Sequence, residues 1–157
     1  MPVIFCLLLV ISSGFAQYAP AKPELFVRVE RVLREREPAW KLEKITPSQT
    51  TDPLLETVVY RSRQGEASIS ITIWRREQDA RESFAGMAIA YDNIRGKAVV
   101  KRALPALGDE NYMWTHRRSS KWPTIRFRKG NVEVQVFAPN VTTAKAFAAH
   151  VVEQIQD

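Results

Sequence analysis

The chain has 157 residues, 45% of them hydrophobic and 25% charged, with 23 Lys and Arg against 17 Asp and Glu for a net charge of +6. That length suits one domain with enough buried surface to stand by itself, and there is no internal repeat or low-complexity tract. A single cysteine, Cys6, excludes a disulfide framework and a cysteine-based zinc site.

Val3 to Ile11 is an unbroken apolar run, broken by Ser12, Ser13 and Gly14, and Gly14-Phe15-Ala16 puts small residues where a signal peptidase requires them. Residues 1–16 therefore read as a cleavable signal peptide, although no Lys or Arg precedes the apolar run. The run is too short to cross a bilayer, which takes about 20 residues, so no transmembrane anchor is expected after cleavage. Cys6 falls inside this segment, and the mature chain must fold by burial alone. Residues 17–23, with Pro20 and Pro23, read as a short linker, and residues 24–157 as one α+β domain exported to the periplasm or the extracellular space.

Leu25, Phe26, Val29, Val32 and Leu33 form one helical stripe between Glu24 and Glu37. The opposite side offers Glu24/Arg28 and Glu30/Arg34 as i,i+4 pairs, and Pro38 stops the helix. A strand over 39–46 follows. Residues 55–63 and 67–75 form a hairpin turning at Gln64-Gly65, which would set Tyr60 opposite Ile69 and Val58 opposite Ile71. Asp79 and Glu82 stand where an N-cap and its N3 partner would open a second helix, with the stripe Ala80, Phe84, Met87, Tyr91 and Ile94. Shorter strands follow over 98–102 and 110–117. Residues 124–129 and 132–138 pair around Gly130-Asn131, with Ile125 and Phe127 opposite valines and Glu133 facing an arginine. A last helix over 142–156 buries Ala144, Phe147, Ala148, Val151 and Ile155. Short hairpin connections force antiparallel pairing. The expected fold is an α+β sandwich: an antiparallel sheet of six to seven strands layered by three helices.

Leu107-Gly-Asp-Glu-Asn-Tyr112, Ile125-Arg-Phe-Arg-Lys-Gly-Asn-Val132 and the closing helix together resemble a pattern found in small secreted bacterial proteins of unknown function. The order of elements resembles the α/β/α sandwich of PsbP-like domains. That resemblance implies an accessory or binding role and brings no catalytic residues.

Charge is distributed unevenly. Residues 17–94 are neutral, residues 130–157 carry −2, and residues 95–129 carry +8, from ten Lys and Arg against Asp109 and Glu110. Aromatic residues share that basic stretch. Arg117, Arg118, Lys121, Trp122, Trp114, Lys101 and Arg102 are the candidate binding residues, since guanidinium and ammonium groups recognise anions and an indole gives a stacking face. The turn from Arg117 to Pro123 would present both chemistries together. The competing reading puts Trp114 and Trp122 in the core and leaves the arginines as a solvated rim. The partners this implies are an anionic cell-envelope polymer, a lipid surface or an acidic protein, and not a specific nucleic acid.

An alternative is a small extracytoplasmic hydrolase centred on His116, with Asp109, Glu110, Ser119 and Ser120 nearby in sequence. A Ser-His-Asp grouping needs hydrogen-bond reach and an oxyanion hole, and no Gly-x-Ser-x-Gly elbow is present, so no catalytic residue is assigned. His116 and His150 lack companions at zinc-ligand spacing, and nothing calls for a cofactor. Asn140-Val141-Thr142 is a formal glycosylation sequon.

Overall fold

Two meanders build one sheet. Strands β1 (Lys41–Pro47), β2 (Leu54–Ser62) and β3 (Gly65–Ile73) are consecutive antiparallel neighbours. So are β4 (Val99–Arg102), β5 (Glu110–His116), β6 (Ser119–Lys129) and β7 (Val132–Phe137). The last strand returns to the middle and pairs with β3, giving the seven-strand order β1-β2-β3-β7-β6-β5-β4. Helix α1 (Glu24–Arg36) precedes the sheet, α2 (Glu77–Arg95) joins the two meanders and α3 (Val141–Val152) follows β7. The computed structural model describes residues 23–47, 52–95, 99–116 and 119–156. The signal-peptide segment, the linker through Lys22 and the Arg117-Arg118 pair lie outside the described residues.

The antiparallel α+β architecture expected from the sequence is the one observed, with the same order of elements. Alternation along the central strands explains the layering. Val58, Ile69, Ile71, Val134, Val136, Ile125 and Phe127 face one side and are buried with the apolar stripes of α1 and α3. The stripe of α3 is the expected one, and Asn140 caps its start by accepting from the Thr143 N–H at 2.8 Å. At roughly 25 cal/mol per Å2 of apolar surface, a core of this kind is the main stabilising term. The other side of the sheet carries Tyr112 and Trp114, which pack with Phe84 of α2.

Four local expectations are corrected. The first hairpin turns one residue earlier, at Arg63-Gln64, so Tyr60 faces Ala67 and Val58 faces Ile69. The Ser62 hydroxyl accepts from the Gln64 N–H at 3.0 Å and closes the turn early, while Gly65 takes the positive φ of 128° just after it. Moving the turn centre by one residue shifts cross-strand partners by two, so every side chain keeps its face. Asp79 is not the N-cap of α2, because that helix begins at Glu77; Asp79 bonds the Arg76 guanidinium instead. That bond also holds the Asp79 carboxyl below its usual range. Met87 is exposed and Ala88 packs on the small cluster in its place. Finally, Ser119 to Pro123 is strand rather than turn, because β6 runs back to pair Ser119 with His116.

Gly65→Val is expected to cost more than about 1 kcal/mol in urea denaturation, because a β-branched residue resists positive φ. A Cβ there would meet nothing closer than 3.6 Å, so Gly65→Ala, which adds that carbon alone, reports the backbone without a clash.

Candidate functional site

The basic and aromatic residues between 95 and 129 do not share one surface. Trp114 is only 5% exposed, its ring 3.9 Å from that of Tyr112, which in turn meets Phe84 of α2 at 4.9 Å. Trp114 is thus a core residue beneath α2 and offers no stacking face.

Several of the cations serve the same helix–sheet contact. Arg128 is a fully buried side chain whose guanidinium meets Glu77 of α2 at 3.2 Å, Glu110 at 3.0 Å, Asp109 at 3.2 Å and the Gly130 carbonyl at 2.7 Å. Arg126 is buried as well. It pairs with the buried Glu133 carboxylate and lies over the Phe84 ring at 5.9 Å. Lys129 donates to the Ile155 carbonyl at 2.8 Å. Lys101, exposed on the edge strand β4, reaches Asp92 at 3.3 Å and lies over the Tyr112 ring at 4.9 Å. Much of the local +8 therefore ties α2 and the chain end to the sheet. Arg102 and Lys121 remain exposed.

Trp122 is the residue whose placement is unusual. It is 50% exposed and stacks on Phe137 at 5.4 Å with ring planes 12° apart. Its φ is +58°, a left-handed conformation that a bulky residue rarely adopts. The buried Pro123 follows it, and the Trp122 N–H donates to the Pro139 carbonyl at 3.3 Å. Its ring edge lies beside Gly65 and Pro139, so the β2–β3 turn supports it from below. A side chain as large at residue 65 would compete for that place. Lys121 precedes it on the surface. Lys101 stands three strand spacings from the Phe137 strand, roughly 14 Å across the sheet.

Phe137 is the member of this group that the sequence reading did not single out. Its signal is the α2-facing side of β7, where Glu133 and Gln135 are followed by an aromatic in a polar series.

His116 ends β5, paired with Val99 and Ser119. Asp109 and Glu110 lie at the other end of that strand, about 20 Å away at 3.4 Å per residue, and both are occupied by Arg128. His150, on α3, meets Glu37 at 3.3 Å and Arg36 at 3.3 Å as a bridge between α3 and the end of α1. Among the described residues no three His, Asp or Glu side chains gather as a metal site, and no helix is long and apolar enough to cross a membrane.

No family model matches the chain, and neither does any curated protein. Among solved structures it is similar to a GTP-binding regulator from Thermotoga maritima, at 14% identity and a TM-score of 0.50, over 82% of this chain and 84% of that one. At that identity the likeness concerns the fold.

Proposed function

We propose that this protein is an exported, non-enzymatic binding module that engages an anionic partner of the cell envelope through Trp122 and Lys121. The observation that carries this reading is the strained, half-exposed Trp122 held on Phe137. Strain at a bulky surface residue persists only where the surroundings impose it, and such positions concentrate at ligand contacts. An indole so held gives a flat apolar face, and the neighbouring ammonium supplies attraction for anions. The N-terminal apolar run supports export, and Arg117 and Arg118 adjoin the tip in sequence.

Affinity for heparin, and separately for phosphatidylglycerol vesicles, tests the reading and distinguishes a polymer from a lipid surface. Trp122→Ala is expected to weaken binding about tenfold while lowering stability by only about 1–2 kcal/mol, since a stacked pair is worth about 1 kcal/mol and half of the ring is already in water. Lys121→Gln should weaken binding and flatten its salt dependence, which exposed charges impose through screening. A Trp122→Ala protein that binds both probes as the parent does would refute this surface.

A further inference from the structure

A groove of about 390 Å3 runs between α3 and the loop that joins β4 to β5. Pockets that hold small molecules span roughly 300–1,000 Å3. The floor of this one is apolar and closed, because Leu107 and Ala148 are both buried. Leu104 and Val152 stand half-buried along its sides, and Ala149 keeps the α3 wall low because it projects only a methyl group.

The loop wall is held in place by Asn111 of β5. Its Oδ1 accepts from the Leu104 N–H at 2.6 Å, and its Nδ2 donates to the Leu107 carbonyl at 2.7 Å. Between those two points Ala106, which also lines the groove, keeps a left-handed φ of +59°. Such positions are uncommon for a non-glycine residue and concentrate at ligand contacts. The two Asn111 bonds also decide what can lie here. They occupy a main-chain donor and acceptor at the ends of the loop, and α3 bonds its own backbone internally. An extended peptide would find no strand edge to pair with. An alkyl chain needs none.

Charge stands at the rim. Glu153 is already paired with Arg36 at 2.6 Å. Lys145 is exposed and makes no ion pair among the described residues. An unpaired ammonium at the end of an apolar trough attracts an anionic head group. From Lys145 to Val152 the helix advances about 10 Å, close to the length of an extended chain of about eight carbons joined by bonds of about 1.5 Å. We propose that this groove binds a medium-chain fatty acid, its alkyl chain along Leu104, Leu107 and Val152 and its carboxylate on the Lys145 ammonium. Phe137, with Trp122 stacked on it, belongs to the other face of the sheet, so this site does not rest on the Trp122 surface.

Sodium octanoate, kept below its micelle concentration, is the probe, followed by the methyl resonances of Leu104, Leu107 and Val152 in two-dimensional carbon–proton NMR. Saturable shifts are expected, and butanoate, with its shorter chain, should bind at least tenfold more weakly. Lys145→Gln should weaken octanoate about fivefold, the share an exposed ion pair supplies, and leave neutral octanamide unchanged. Ala149→Phe fills the trough and should abolish the shifts; Ala149 is exposed, so that variant keeps the parental melting temperature. Trp122→Ala should bind octanoate as the parent does, which separates this site from the anion surface. Shifts that never saturate, equal losses of octanoate and octanamide in Lys145→Gln, unchanged binding in Ala149→Phe, or tighter binding of a capped leucine tripeptide would each overturn the proposal. So would a dimer in sedimentation velocity that Ala149→Phe dissociates, which would give the groove to a second copy of the chain.

Discussion

Arg126→Met is expected to destabilise the protein by about 3–5 kcal/mol in urea denaturation at neutral pH. Arg126 and Glu133 form a buried pair, their side chains 10% and 3% exposed. One Glu133 oxygen is held by the guanidinium, and the other is buried without a hydrogen-bond partner among the described residues. Removing the cation leaves a carboxylate that neither water nor another donor reaches. The lost attraction then appears almost undiluted, unlike that of surface pairs such as Arg36–Glu153, whose side chains are about half exposed. The double variant Arg126→Met, Glu133→Leu should recover most of the loss or exceed the parent, since apolar residues of similar volume often replace a buried pair without penalty. A single variant that loses less than about 1 kcal/mol would show that Glu133 finds solvent or another donor. This experiment also separates structural from recognition charge. Arg126 belongs to the basic segment by sequence, yet its replacement should act on stability and leave anion binding per folded molecule unchanged.

Gly108→Ala should cost about 3 kcal/mol or more. Gly108 has a φ of +65°, and a Cβ built there falls onto the Arg128 carbonyl, a backbone atom of β6 that cannot step aside alone. The left-handed conformation contributes about 1–2 kcal/mol for a non-glycine residue. The remainder comes from displacing the start of the β5–β6 ladder, where that same carbonyl accepts from the Asp109 N–H at 2.8 Å. Gly130→Ala is the control. Its φ is +56°, but no atom lies within 4 Å of the added carbon, so only the conformational cost of about 1–2 kcal/mol should appear. Equal losses in the two variants would mean that the loop at Gly108 relaxes away from Arg128.

Period and punctuation decided the elements of this protein at the level of sequence. The α3 stripe, from Ala144 to Ile155, is local information, because a helix repeats its face every three to four residues whatever it packs against. Alternation likewise put Ile125 and Phe127 opposite valines, because any two-residue turn around Gly130-Asn131 keeps the same faces together, and the observed partners are Val136 and Val134. The same parity protected the face assignment in the first hairpin even though its turn lies one residue earlier.

Only tertiary structure decided the use of each charge and each tryptophan. Sequence reports that ten cations fall between residues 95 and 129; it does not report that α2 crosses the sheet there and brings Glu77 to Arg128. Trp114 and Trp122 are eight residues apart and chemically identical, but one lies beneath Phe84 and the other on Phe137 at the surface. Burial, pairing and free volume arise from contacts between segments far apart in the chain, so no window of sequence contains them. Periodicity is a property of one segment, and recognition surfaces are a property of several.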